Sequence, residues 1–517
     1  MNWEIITFIT YFAALLAIAL VYYFNGSNKN SEDFFLGGRS MGPWVTALSA
    51  QASDMSAWLL MGLPGSILAF GFGQMWIGIG LALGTAANWI LCAKRLRTFS
   101  KAADDAITVP QFLANRFAVD SKLLQTICAI IFLFAYTIYV ASALVAGTSV
   151  FETLFPGIDP KIAMIVFLII IIGYTFFGGF KSVCVTDFLQ GMLMMIALMA
   201  VPIVIIIAHG NLLEEGAANL TTIFNYVDTD GSNVACDFGA GLFSASWQDI
   251  VTGLGWGLGY FGMPHIIIRF MSIEKPSMVK KSATVAIVWV VISLASAVLI
   301  AYYGRIIMGQ ELLEGGNVGN LAYTAGSQKL VFVAMARRFF PTAICGLLLA
   351  AIVAASISTA DSQLLVASSS FTADLYKPYF RKNASEKEVL MVGRIVVLIL
   401  SAVAFFIANS NGSGAQAIMN MVENAWGAFG ASFGPTIILA LFWKKFNYPG
   451  AVAAVVSGFA IDLIWLLSGL TASTGVYEIV PGFIGSFIIA VIVSLSTKPA
   501  NDKSVEIFEK AMASDAE

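Results

Sequence analysis

Runs of apolar residues, each long enough to make a membrane-crossing helix, recur from one end of this chain to the other. A helix needs about 20 such residues to span the hydrocarbon of a bilayer. Of the 517 residues, 58% are hydrophobic and only 11% are charged, whereas a soluble domain carries about 25% charged residues. Most side chains must therefore face lipid or other apolar helices. The pattern predicts an all-α polytopic membrane protein with no separate soluble domain. The first run, residues 4–24, is followed by many others and has no small-residue cleavage site, so a cleaved signal peptide is not expected. The five cysteines form no CxxC pair and read as small buried apolar residues.

Runs and breaks place thirteen spans, centred near residues 14, 57, 84, 138, 170, 195, 256, 295, 355, 398, 428, 460 and 486. With the amino terminus outside, the inner connections collect most of the 28 basic residues. These run from Lys29 and Arg39 through Lys94, Arg95, Arg97, Arg116, Lys181, Arg269 and Lys275 to Lys444 and the tail lysines. Only Lys161, Arg305, Lys329, Arg337 and Arg338 fall on the other side. By the positive-inside rule that asymmetry sets the orientation, with the carboxyl terminus in the cytoplasm and the chain in the cell (inner) membrane. The expected division is an extra helix and inner loop (1–41), a five-helix set (42–208), an outer loop (209–240), a second five-helix set (241–444), two more helices (445–498) and a cytoplasmic tail (499–517).

The opening helix of each five-helix set carries its own breakers. The first holds Ser49, Ser53, Asp54 and Ser56, then Gly62, Pro64 and Gly65; the second reads Gly253-Leu-Gly-Trp-Gly-Leu-Gly-Tyr-Phe-Gly. Five is odd, so the second set enters the membrane from the opposite side and the two sets are topologically inverted. Paired interrupted helices in corresponding positions point to a transport site at the bilayer midplane. Backbone groups freed by the break must be satisfied inside the membrane. A cation can take the carbonyls, and an anionic group can take the amide ends. The competing reading of the glycines is close helix packing.

Asp54 would cost roughly 3 kcal/mol unpaired at the membrane centre, which makes it a functional candidate. The ninth span contains Ser358-Thr-Ala-Asp-Ser-Gln, with Ser358 and Ser362 on one face at i, i+4. Hydroxyl, carbonyl and carboxylate oxygens of this kind make a site for a hard cation. Trp256 and Tyr260 are likewise i, i+4 on the glycine-broken helix, Tyr139 lies mid-way along the fourth span, and Asp187 follows residues 174–185, where it would end an inner gate. Gly430-Ala-Ser-Phe-Gly matches the GxSxG of serine hydrolases, but that motif needs a strand–turn–helix and a histidine partner. The two histidines, His209 and His265, lie in distant segments. With no P-loop or HExxH either, neither an enzyme nor ATP coupling is expected.

Four stretches carry a resemblance: Leu36-Gly-Gly-Arg-Ser; Ala52-Ser-Asp-Met-Ser with Trp58-Leu-Leu-Met-Gly-Leu-Pro-Gly; Gly255-Trp-Gly-Leu-Gly-Tyr-Phe-Gly; and Ser358-Thr with Gln363-Leu-Leu-Val. Over residues 31–498 the chain resembles the sodium/solute symporter family, in its sodium/proline symporter branch. The resemblance implies a leucine-transporter-type inverted five-plus-five bundle with flanking helices. It implies a sodium site from the Ala52, Met55 and Ala355 carbonyls with the Ser358 and Thr359 hydroxyls. Asp54 and Ser56 match positions tied to sodium and proline binding, Arg39 one tied to sodium coupling, and Tyr139, Trp256 and Tyr260 the substrate pocket. Ala57 and Met263 stand where the best-known proline symporter has glycine and glutamine. Its Leu-Ser-Cys is here Ala360-Asp361-Ser362, which motivates a second cation or proton site from Asp187, Ser358, Asp361 and Ser362.

The expected activity is sodium-coupled uptake of L-proline by alternating access. The nearest alternative is sodium symport of another small zwitterion or carboxylate, such as a betaine or pantothenate. An ion channel, or an intramembrane hydrolase using Ser432, stands further off. The partners are L-proline, Na+ as coupling ion and the lipid bilayer, with no cofactor, nucleic acid or obligatory protein partner.

Overall fold

The computed structural model describes residues 3–24, 30–228, 231–239, 241–319, 321–410 and 415–516; Lys29, one of the expected inner charges, lies outside them. The chain opens with α1 (Trp3–Phe24) and the short α2 (Ser31–Leu36). The first broken helix follows as α3 (Pro43–Met55) and α4 (Gly62–Phe70). Next, α5 (Met75–Ala87) runs through a π-helical turn into α6 (Lys94–Ala102), and α7 (Val109–Phe117) leads to α8 (Leu123–Leu154).

The 49 residues of α9 (Pro160–Ala208) are interrupted at Gly179, φ +67° and ψ 173°. Unbroken, they would run about 74 Å, more than twice the hydrocarbon thickness. The break separates a shorter apolar helix, Pro160–Gly173, from a segment of membrane length, Gly178–Ala208, where the sequence reading expects spans near residues 170 and 195.

The loop region holds α10 (Asn211–Glu215) and an antiparallel hairpin, β1 (Phe224–Val227) with β2 (Asn233–Cys236). Arg305 fastens it by donating to the carbonyls of Asn219, Thr222 and Cys236. The second broken helix is α11 (Trp247–Trp256), a 3₁₀ turn Gly257–Phe261, and α12 (Pro264–Ser272). Then come α13 (Val279–Gln310), the hairpin β3 (Gly316–Val318) and β4 (Leu321–Tyr323), α14 (Val331–Phe339) and α15 (Thr342–Ser370). The chain finishes with α16 (Glu386–Ser410), α17 (Ala415–Phe442), α18 (Tyr448–Leu467), α19 (Leu470–Thr474), α20 (Ile479–Ser496) and α21 (Asp502–Ala516).

Among the described residues, ten helices are long and apolar enough to cross a membrane, and Ala57–Phe70 and Pro160–Gly173 are shorter apolar helices. Their outer faces suit lipid. On α20, Ile484, Ile488, Ile492 and Leu495 recur at helical spacing and are 52–65% exposed, a stripe that water would penalise. At the other extreme stands α15, packed against α1, α3, α8 and α9 and buried on every side from Leu348 to Ser370. A helix without a solvent face belongs in the centre of the bundle.

Two features depart from the sequence reading. The tail is a helix: α21 packs on α6, with Phe508 edge-on to Phe99 at 5.3 Å, and Arg116 donates to Ser504 Oγ at 2.8 Å. Lys444 pairs with Glu509, and Lys94 and Arg95 with Asp515. Arg269, counted above with the inner-loop charges, instead sits on α12 and is 1% exposed.

Candidate ion and solute site

The first break is built on Ser56. Its backbone stands at φ +48° and ψ −174°, a conformation that L residues seldom adopt and that surroundings must hold in place. The Ser56 hydroxyl accepts from the amide of Trp58 at 3.1 Å and starts the 3₁₀ turn Ala57–Leu59. A helix that stops at Met55 leaves the carbonyls of residues 52–55 without intrahelical donors. Side chains from other helices come to two of them. Ser358 Oγ donates to Ala52 O at 2.8 Å, and Tyr139 Oη lies 3.5 Å from Asp54 O.

Ser358 also reaches Ala355 O at 3.1 Å, and Thr359 Oγ1 donates to the same carbonyl at 3.0 Å. The structure thus gathers Ala52, Ala355, Ser358 and Thr359 where the end of α3 meets α15, with all four residues fully buried. Met55 is the last residue of α3 and lines the adjoining cavity. These are neutral hard oxygens, the donor chemistry of an alkali or alkaline-earth cation.

The adjoining cavity, about 10 Å³ and so no roomier than one water, is lined by Asp54, Met55, Ser56, Trp58, Leu81, Tyr139, Trp256, Tyr260, Val422 and Trp426. The walls stand almost in contact, and a solute enters only when they part. Tyr260 donates to Asp54 Oδ2 at 2.5 Å and ties the two broken helices together across the cavity. Its own carbonyl accepts from Asn88 at 2.8 Å. Trp58 stacks on Trp256 with centroids 5.5 Å apart, and Trp426 donates its indole N–H to the Trp256 carbonyl at 2.8 Å. The Tyr477 ring also packs on Trp256, with centroids 5.3 Å apart.

The glycines of the second broken helix serve packing as well as the break. A Cβ at Gly80 would come within 2.1 Å of Gly253 O, and one at Gly84 within 2.3 Å of Gly257 O. Thus α5 and α11 touch backbone to backbone, and this contact sets the position of Trp256.

A second polar cluster surrounds Arg269. Its Nη2 donates to Asp187 Oδ2 at 3.0 Å and to Ser362 Oγ at 2.6 Å, and its Nε to Ser49 Oγ at 2.9 Å. Ser49 donates in turn to Asp187 Oδ2 at 2.8 Å, and Ser362 lies 3.4 Å from Asp361 Oδ1. Arg269 also donates to the His265 carbonyl. Asp187, Asp361 and Ser362, expected in one site, do meet here, around a guanidinium that the sequence reading did not place among them. Ser358 is turned away, toward Ala52.

Arg39 stands apart from both clusters. It donates to Met271 O at 2.8 Å, Ala106 O at 2.9 Å and Ser100 Oγ at 3.1 Å, so it caps the end of α12 and holds it to α6. Ser432 of the hydrolase-like motif lies within α17 and donates back to Ala428 O at 2.6 Å, in no strand–turn–helix. Trp58, Trp426, Tyr477 and Arg269 are the site residues that sequence reasoning missed. Trp58 belongs to the first broken stretch and was within reach; Trp426 and Tyr477 are about 170 or more positions from Trp256 and carry no local mark.

The fold is shared with solved symporters. A Na+-coupled sialic acid symporter, substrate-bound and outward-open, superposes with a TM-score of 0.74 at 20% identity, covering 97% of this chain and 99% of its own. A nucleobase-cation-symport-1 family transporter in a closed conformation gives 0.53 at 13% identity, covering 92% and 98%. Sequence relatives are nearer. The osmoregulated proline transporter OpuE of Bacillus subtilis is 39% identical over 96% of both chains. The high-affinity proline transporter PutP of the same organism is 40% identical over 94% of this chain and 97% of its own. The sodium/proline symporter of Staphylococcus aureus is 39% identical over 96% and 93%. The family model for sodium:solute symporters matches residues 34–458, and the chain belongs to that family.

Proposed function

We propose that this protein takes up L-proline by sodium symport, driven by the sodium gradient and the membrane potential. The observation that carries the proposal is the junction at the α3 break. There Ser358 and Thr359 converge with the Ala52 and Ala355 carbonyls, one residue short of the Ser53–Asp54 step that leads into the aromatic cavity. In this reading Na+ binds among these oxygens and the Met55 carbonyl, and thereby ties α3 to α15. Proline then occupies the cavity, its ring against Tyr139, Trp256 and Tyr260. Asp54 and Ser56 fix the break between the two ligands, and Arg39 holds the inner end of α12. Rocking of one helix set against the other exposes the site to each side in turn. One charge crossing 100 mV supplies about 2.3 kcal/mol and a tenfold sodium gradient about 1.4 kcal/mol, together enough for roughly 500-fold accumulation.

The same reading takes the ten long helices, the Pro160–Gly173 segment and the two broken helices as thirteen spans. The five-helix sets 42–208 and 241–444 form an inverted repeat between a first helix (1–41), an outer loop (209–240), two last helices (445–498) and a cytoplasmic tail (499–517). The amino terminus lies outside and the chain sits in the cell (inner) membrane. A second cation or proton belongs with Asp187, Asp361 and Ser362, without the Ser358 first grouped with them, because Arg269 balances only one of the two carboxylates there. Uptake of labelled proline into proteoliposomes, with and without a sodium gradient, tests the main claim; full-rate uptake without sodium or any replacement cation would refute it. A sodium Hill coefficient above one, reduced by Asp361→Ala, is expected from the second site; one-to-one coupling in both proteins removes it.

A further inference from the structure

A third group of acids lies in the last helices, apart from both clusters above. Asp462 of α18 is 2% exposed, and its Oδ1 has no hydrogen-bond partner. Glu478, just before α20, is 1% exposed; its Oε2 accepts from Thr471 at 2.7 Å, while its Oε1 has no partner. The two converge on Gly427 of α17, where an added Cβ would stand 2.7 Å from Asp462 Oδ1 and 3.3 Å from Glu478 Cγ. Glu423 lies one turn earlier on α17. Among the described residues no ion pair reaches any of the three. From the elements packed around the pair, the facing groups are Glu423, Thr471 and Tyr477, none of them cationic.

Two buried carboxylates this close cannot both stay ionised without a counter-charge. Among the described residues no three acids, histidines or cysteines are arranged to hold a metal ion, whereas a proton asks only for one oxygen pair. What the pair anchors gives the site its consequence. Tyr477 is the neighbour of Glu478 in the chain, and its ring packs against Trp256, a wall of the cavity. Its hydroxyl donates to Glu423 O at 2.6 Å, and its amide to Thr252 Oγ1 of α11 at 3.1 Å.

We propose that Asp462 and Glu478 form a proton-binding pair that couples pH on their side of the membrane to the packing of Tyr477 on Trp256, a wall of the solute cavity. With the proton bound, the pair packs against Gly427 and Tyr477 stays on Trp256. With the proton released, the two carboxylates repel, and Glu478 carries Tyr477 away. Resting on the transport reading and orientation above, external acid therefore holds the Trp256 wall in place, keeps the cavity closed and raises the KM for the solute.

The test is sodium-driven proline uptake in proteoliposomes at fixed sodium and varied external pH, for the parent, Asp462→Asn, Glu478→Gln and the exposed control Asp249→Asn. In the parent, KM should rise as pH falls, with a limiting slope of about tenfold per pH unit for one linked proton. The slope should flatten in Asp462→Asn and Glu478→Gln and persist in Asp249→Asn. An unchanged slope in both pair variants overturns the proposal, as does a parent response that follows added inorganic cations at constant pH. Infrared spectroscopy of the purified proteins reads the pair directly, even if one variant fails to fold or the parent takes up no proline. A protonated-carboxyl band present in the parent and lost in either variant supports the pair, and its absence from the parent refutes it. Sodium-driven uptake with no pH effect sinks only this inference; no uptake at all sinks the transport reading.

Discussion

Two groups of oxygen donors lie within one turn of each other on α15, and both join it to α3, yet they are opposite in electrostatic design. At Ala52, Ala355, Ser358 and Thr359 every donor is neutral. Near Asp361 and Ser362, Asp187 pairs with a guanidinium carried by the protein itself, Arg269, and Asp361 joins through Ser362. Neutral oxygens gain most when a cation comes in from solution, and that cation can leave again. A tethered cation cannot leave, so Arg269 keeps a standing link between α3, α9, α12 and α15, and only the charge that it leaves unbalanced is open to the proposed second cation or proton. Transport needs reversibility at the first place and cohesion at the second.

The sharpest way to break this contrast is Arg269→Gln. It strands two buried carboxylates and should cost about 3–5 kcal/mol of stability, read as a large fall in the thermal midpoint in detergent; adding Asp187→Asn should restore part of it. A variant as stable as the parent would mean that the guanidinium is not the counter-charge. Next in size is Thr359→Ala or Ser358→Ala. Each removes a hydroxyl from a cation, worth about 1.5–3 kcal/mol, so sodium affinity measured by tryptophan fluorescence should weaken by about 10–100-fold. Trp58→Ala removes a stacked partner of Trp256 worth about 0.5–1.5 kcal/mol. Its effect should fall on solute KM, with sodium affinity spared in binding titrations. Smallest is Ser49→Ala, a loss of about 1 kcal/mol, visible in the unfolding midpoint and without a matching change in sodium binding.

The contrast was half legible in the sequence. A carboxylate, serines and Gly-Leu-Pro-Gly inside one apolar run announce a broken helix, because each is costly in hydrocarbon unless the backbone has left the helix. Ser358 and Thr359 announce their chemistry in the same way. Arg269 did not, since an arginine at the end of an apolar run reads equally well as a loop charge; only the packing of α12 against α3 and α15 buries it. Trp426 joins the cavity, and Tyr477 reaches its wall residue Trp256, through contacts between distant segments, and no local pattern encodes those. The helical tail escaped because its burial depends on Arg116 and Phe99, which lie near the other end of the chain.

The bare contact between α5 and α11 has a mechanical consequence. Helices normally lock through side chains seated as ridges in grooves, which fixes both crossing angle and register. Where Gly80 and Gly84 meet Gly253 and Gly257 the nearest atoms are almost all backbone, the Trp76 Cβ at Gly253 apart, so the two helices are held close with few side chains to fix their register. It is a low-friction bearing next to the Trp256 and Tyr260 walls, and even one methyl group added there would act as a wedge.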